Sequence, residues 1–204
     1  MSFFIGGGSS NQAEAVPNRV QESRSLTQEL WDWTKSILVA LLVVVIVHQF
    51  VFNFSTVRGH SMDPTLNEGE WLLVNKAITY LQAPDRGDIV ILEEPDKLEE
   101  LKPSWTQHSL LVKRVVAVAG DEVQGRAGAL YVNGDKVVEP FTDSPIEDGD
   151  FGPTEVGPGQ IFVMGDNRHR AASADSRMFG VIPTSLVEGR AEFVMWPFDK
   201  AARL

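Results

Sequence analysis

Ser61 stands in the stretch Gly59-His60-Ser61-Met62-Asp63-Pro64-Thr65-Leu66, and Lys113 stands inside the apolar run Leu110-Leu111-Val112-Lys113-Arg114-Val115-Val116-Ala117-Val118-Ala119. A hydroxyl becomes a nucleophile when a base takes its proton. A lysine serves as that base once it is neutral, and burial disfavours its charged form. Lysine is almost never fully buried without a partner, so one inside an apolar strand stands out. Strand alternation places Lys113 and Arg114 on opposite faces, one toward the interior and one toward solvent or a carboxylate. Ser61 with Lys113 therefore forms a candidate Ser-Lys dyad, a variant of the nucleophile-base logic of serine hydrolases.

Each residue also has a plainer reading. Pro64 fixes φ and lacks an N–H, so neither a helix nor a central strand runs through it. Gly59 allows a tight backbone path just before the serine. Ser61 is then a turn serine bonding its own backbone. Lys113 is then an edge-strand lysine that blocks sheet-to-sheet aggregation. A third stretch weighs against both. Met164-Gly165-Asp166-Asn167-Arg168 and Ser173-Ala174-Asp175-Ser176-Arg177 gather more polar chemistry behind a strand than a turn requires.

Taken in order, four motifs carry a resemblance. They are Ser-Met-x-Pro-Thr-Leu at 61–66, Arg-Gly-Asp-Ile-Val at 86–90, Lys-Arg-Val-Val-Ala-Val-Ala-Gly-Asp at 113–121, and Gly-Asp-Asn-Arg followed by Ser-x-Asp-Ser-Arg. Together they resemble type I signal peptidase, the bacterial leader peptidase, in its single-anchor form. The resemblance spans roughly residues 30–198. It implies Ser61 as nucleophile and Lys113 as general base. It implies that Ser173 orients the lysine amine by a hydrogen bond, with Ser176 as the fallback. It implies an Asp175–Arg177 ion pair bracing that corner and a second pair between Arg114 and Asp166. It implies that the backbone amide of Ser61 supplies the oxyanion donor. Many relatives place a hydroxyl two residues before the nucleophile; here that place is Gly59, so a main-chain or water donor substitutes. The His169–Ala172 linker is longer than the common pattern. Val57, Met62, Leu66 and Val112 are expected to line shallow apolar pockets for small substrate residues, with Met62 also meeting the lipid interface. The implied substrates are secretory preproteins, cleaved after small-x-small sites. No cofactor, metal or partner subunit is implied.

The elements that must position these groups begin with an anchor. Residues 1–25 are rich in Gly, Ser, Asn, Gln and Glu and read as a disordered cytoplasmic tail. Residues 26–54 read as a helical lead-in and transmembrane anchor. The unbroken run Ile37–Val47 is short for a span, but Ser36–Phe54 reaches about 20 residues. Trp31 and Trp33 suit an interfacial belt. Arg19, Arg24 and Lys35 precede the run and only Arg58 follows closely, which puts the N-terminus in the cytoplasm and the rest outside. A cleaved signal peptide fits poorly, because Phe50–Phe54 is bulky where a small-x-small exit is needed.

Residues 55–204 read as an extracytoplasmic, mainly β domain, an all-β barrel or sandwich. Strands are expected at 71–74, 88–92, 110–119, 161–164, 181–183 and 190–196. Asn133-Gly134 between Leu130-Tyr131-Val132 and Lys136-Val137-Val138 signals a hairpin. Residues 93–109 read as an exposed loop or short helix and 140–159 as loop, neither with an assigned role.

Composition narrows the classes. The 204-residue chain is 43% hydrophobic with net charge −10, against a nucleic-acid binder, which needs clustered cations. Cys is absent, excluding disulfides, thiolate metal sites and a cysteine nucleophile. His48, His60, His108 and His169 are scattered, with no metal-ligand spacing. His60 is adjacent to Ser61, but neighbours in an extended stretch face opposite ways, so it reads as an exposed turn residue. Asp63 reads as a solvated turn residue, and His169 as part of a surface loop. The competing functions are a self-cleaving repressor with a similar dyad and a non-enzymatic, membrane-tethered β domain. The first lacks an anchor, and the second leaves the four motifs as coincidence.

Overall fold

The computed structural model describes residues 25–95 and 110–204. The tail expected at 1–25 lies outside the described residues up to position 24, as does most of the 93–109 segment, from 96 on. The backbone divides into two compact units, up to Leu42 and from Val43 onward.

The apolar run forms one helix, α1, Leu26–Phe50, with no buried residue. It is long and apolar enough to cross a membrane. The helix ends four residues before the expected Phe54. Phe52–Thr56 is instead a strand, β1, paired with β2, Trp71–Asn75, in the register Phe54↔Leu73. Phe52, Phe54 and Thr56 are residue types that suit a pleated surface, and cross-strand pairing wins over extension of the helix.

Ten further strands follow: β3 Ile89–Glu93, β4 Leu110–Val118, β5 Glu122–Arg126, β6 Ala129–Val132, β7 Asp135–Lys136, β8 Phe151–Glu155, β9 Gln160–Met164, β10 Ile182–Pro183, β11 Val187–Trp196 and β12 Ala202–Arg203. The larger sheet has the order β1-β2-β11-β3-β4-β9-β10, with β12 added on β11, and a smaller one has the order β7-β6-β5-β8. All pairings are antiparallel. The fold is mainly β, as the run of short strands implied.

β3 explains why its run lacks polar alternation. Ile89 and Ile91 enter a core with Val57, Met62, Leu66 and Leu72, while Val90 and Leu92 enter another with Val115, Val163 and Ile182. Both faces are covered, so both parities are apolar. The β6–β7 hairpin turns at Asn133 and Gly134, both at positive φ. β5 and β8 were not legible in the sequence. β8 contains Gly152 and Pro153, which weaken a strand signal, and it is held at the sheet edge by β5 through Val123↔Thr154.

Candidate active site

The loop between β1 and β2 carries Ser61. Its neck is closed by two backbone bonds, Val57 N–H to Glu70 O at 2.9 Å and Gly69 N–H to Val57 O at 3.0 Å. Inside it the Leu66 N–H donates to Met62 O at 3.0 Å, one turn wound over two buried side chains. Gly59 sits at φ +79°, a left-handed conformation that favours glycine.

β4 delivers Lys113 and Arg114. It is flanked by β3 on one side, Val90↔Lys113, and by β9 on the other, Arg114↔Met164. Lys113 is 2% exposed. Its Nζ lies 2.8 Å from Ser61 Oγ and donates to Val112 O at 2.9 Å. Arg114 turns the other way and grips Asp166 through Nε to Oδ1 at 2.8 Å and Nη2 to Oδ2 at 2.6 Å. Its guanidinium also donates to Gly87 O at 2.8 Å and stacks 3.9 Å from the Phe141 ring centroid.

The loop after β9 closes the corner. A Cβ at Gly165 would collide with the Ser61 carbonyl oxygen and with Ser173 Oγ, so only glycine lets the two serine segments approach this closely. The Gly165 N–H donates to Asp175 Oδ2 at 3.0 Å. Asp175, fully buried, also receives Arg177 Nε at 2.8 Å and Nη2 at 2.7 Å. Asp175 additionally caps the one-turn helix Ser176–Phe179. Ser176 Oγ accepts the Val163 N–H at 3.0 Å, which ties it to the strand rather than to Lys113.

Burial pulls the pKa of Lys113 down from 10.5 to about 8; the carboxylates of Asp175 and Asp166 pull it back up, while Arg177 adds to the lowering. About a tenth of the amine is therefore neutral at pH 7, far more than for an ordinary lysine. A neutral amine at hydrogen-bond distance from a hydroxyl can accept its proton.

The family model for signal peptidase, peptidase S26, matches residues 30–196. The chain belongs to the signal peptidase family. It is 37% identical over 190 residues to signal peptidase I of Bacillus licheniformis, covering 88% of this chain and 96% of that protein. It is 36% identical over 198 residues to signal peptidase I T of Bacillus subtilis (strain 168), covering 92% and 96%. A crystal structure of a signal peptidase I from Enterococcus faecalis V583 aligns at TM-score 0.42 and 27% identity, over 53% of this chain and 97% of that one. As a member of the signal peptidase family, this chain is a peptidase.

Several positions singled out by resemblance to that family sit differently from expectation. Ser173 Oγ is buried but makes no hydrogen bond among the described residues. The expected bond to Lys113 is absent: the hydroxyl is held beside the Gly165 backbone, while the amine is directed to Ser61 and to Val112 O. Val57, Met62 and Leu66 are core residues beneath the serine turn, closed to solvent; Val112 alone keeps partial exposure. Met62, 1% exposed, does not reach a lipid interface. The exposed apolar group is another one: Phe54, Trp71, Met195, Trp196 and Phe198 line a shallow open depression. Asp63 is half-buried, with Oδ2 3.1 Å from His60 Nδ1. His60 is exposed on the turn, and His169 is exposed beside Glu147 and Asp143.

The 140–159 segment, given no role from sequence, supports the corner. Thr65 Oγ1 donates to Phe141 O, Asp148 Oδ2 accepts Arg177 Nη1 at 2.7 Å, and Glu147 accepts the Arg170 N–H at 3.0 Å. Arg168, 1% exposed, was quoted only as part of a motif. It forms a two-pronged pair with Glu139 at 2.8 and 2.6 Å and donates Nε to Gly165 O at 2.8 Å. No local sequence signal joins positions so far apart; the two sheets that carry them pack on a shared core.

Proposed function

We propose that this chain is a membrane-anchored serine endopeptidase that removes signal peptides from secretory preproteins after small-x-small sites. Ser61 attacks the scissile carbonyl and Lys113, neutral, takes its proton. The tetrahedral intermediate is steadied by the Ser61 backbone N–H, a contribution on the order of 3 kcal/mol per donor in serine hydrolases. Lys113 then protonates the leaving amine, and water hydrolyses the acyl-enzyme. Ser173 orients the amine when substrate excludes water, since an unbonded buried hydroxyl is costly and gains from a new partner. The Asp175–Arg177 and Arg114–Asp166 pairs brace the site. An extended substrate segment adds alongside the sheet, as in strand-addition recognition, with Val112 on its contact face.

The chain crosses the bilayer once through α1, with its N-terminus cytoplasmic and residues 55–204 outside. The exposed Trp71, Trp196 and Phe198 support contact with the membrane surface, where tryptophan is favoured. Catalysis beside the bilayer suits a substrate whose own signal helix lies within it.

The observation that carries this reading is the 2.8 Å approach of a buried amine to the Ser61 hydroxyl. Cleavage of a preprotein by the detergent-solubilised full chain, wild type against Lys113→Ala and Ser61→Ala, tests it. Both variants are expected to fold and to lose cleavage; full activity in either ends the dyad reading.

A further inference from the structure

Asn167 holds both carbonyls that flank the reactive serine. Its side-chain Nδ2 donates to His60 O at 2.8 Å, and its backbone N–H donates to Ser61 O at 3.1 Å. Its Oδ1 accepts the His169 N–H at 3.2 Å. That third bond fixes which end of the amide faces the serine turn. The oxygen is engaged by a donor, so the NH2 group must meet the carbonyl.

The His60–Ser61 peptide is trans and planar, so its C=O and N–H point in opposite directions. The His60 carbonyl also accepts the Asp63 N–H at the longer distance of 3.3 Å, and with the C=O tied to Asn167 at 2.8 Å the Ser61 N–H is turned away from the Gly165–Asn167 loop. Among the described residues that N–H donates to no protein acceptor. A backbone donor left open next to a reactive hydroxyl is what an oxyanion requires, provided its direction is set before reaction. Residue 59 is a glycine and adds no side-chain donor that could compensate for a misdirected amide.

We propose that Asn167 is a positioning residue: it fixes the plane of the His60–Ser61 peptide and so aims the Ser61 N–H at the substrate carbonyl oxygen as that oxygen gains charge. This rests on the reading of Ser61 as nucleophile with its own amide as oxyanion donor. The plainer alternative is that Asn167 only shapes the 167–169 turn. The two differ in what they do to the transition state. A turn residue affects stability and substrate binding, whereas a peptide-plane clamp affects kcat.

The test uses the full chain in detergent with Asn167→Ala and Asn167→Asp. The aspartate keeps the shape and the acceptor for the His169 N–H but has no donor for His60 O. In both variants kcat on a preprotein is expected to fall about 10²-fold with KM unchanged, the scale of losing one oxyanion donor. In Asn167→Ala the thermal midpoint and the midpoint of the pH–rate profile are expected to stay at their wild-type values. A small-x-small peptide aldehyde supplies a second readout. Ser61 Oγ adds to its carbonyl carbon, the serine proton passes to Lys113, and the resulting oxyanion occupies the same place. Its affinity is expected to fall by the factor seen in kcat, while that of the matching cleaved peptide is unchanged. Wild-type kcat in both variants overturns the proposal. So does a loss confined to KM or accompanied by a lowered thermal midpoint. Activity in Ser61→Ala would instead sink the underlying assignment of the nucleophile.

Discussion

Asp175 receives the backbone N–H of Gly165 on the same Oδ2 that accepts Arg177 Nη2, at 3.0 and 2.7 Å. One fully buried carboxylate therefore joins the loop that touches Ser61 to a guanidinium on the following one-turn helix. Arg177 is itself only 8% exposed. Removing one member of a buried pair costs about 3–5 kcal/mol, an upper figure here because Arg177 keeps Asp148 at 2.7 Å. Asp175→Ala is expected to lose stability on that scale in urea unfolding and to lose cleavage. A variant as stable as wild type would mean that the pair is not stabilising.

Gly165 lies where the Ser61 carbonyl and the Ser173 hydroxyl converge. Gly165→Ala inserts a methyl group into that contact. Overpacking of this kind costs about 1–3 kcal/mol, and here the segment that must yield carries Ser61, the proposed nucleophile. The expected outcome is a strongly reduced kcat with a modest drop in the unfolding midpoint. Wild-type kcat in Gly165→Ala would show that the two segments can separate without consequence.

Arg168 and Glu139 form a second buried pair, joining the chain that follows β7 to the loop after β9. Glu139→Leu leaves Arg168 uncompensated, at a cost of about 3–5 kcal/mol. The double variant Glu139→Leu with Arg168→Leu removes both charges and is expected to recover part of that loss. A double-mutant cycle by urea unfolding checks it; strict additivity of the two single changes would mean that the residues are not coupled.

Lys113 also predicts a pH dependence of stability. Its folded pKa of about 8 lies below its ordinary value of 10.5, so the unfolded chain binds more protons between those values. Stability attributable to this group therefore rises as pH increases through that window, by on the order of 3 kcal/mol in total. Comparing the pH dependence of wild-type unfolding with that of Lys113→Met isolates the effect. Equal slopes above about pH 8 would argue against a buried, destabilised ammonium.

The β-rich architecture was legible because its signals are local, whereas Ser61 and Lys113, each with a plain local reading, were linked only by four motifs taken in order. A lysine inside an apolar run, a proline-stiffened serine turn and an Asn-Gly hairpin need no knowledge of distant partners. What escaped depends on long-range pairing. Phe52–Phe54 looked like the end of the anchor until β2 claimed it as a strand. β8, with Gly152 and Pro153, exists because β5 offers it an edge. Glu139, Asp148 and Asn167 act on the site through bonds across tens of residues, or through the main chain, and neither leaves a composition signal. Met62 and Leu66 were expected at a surface, whereas the one-turn wind after Ser61 carries them into the core.

The most direct measurement is the pH dependence of kcat/KM for preprotein cleavage by the solubilised full chain. In the proposed mechanism the reactive form carries a neutral Lys113, whose pKa is about 8. Below that value kcat/KM is expected to fall about tenfold per pH unit, as for any single essential base. A profile that stays flat down to about pH 5 would contradict a lysine base at Ser61.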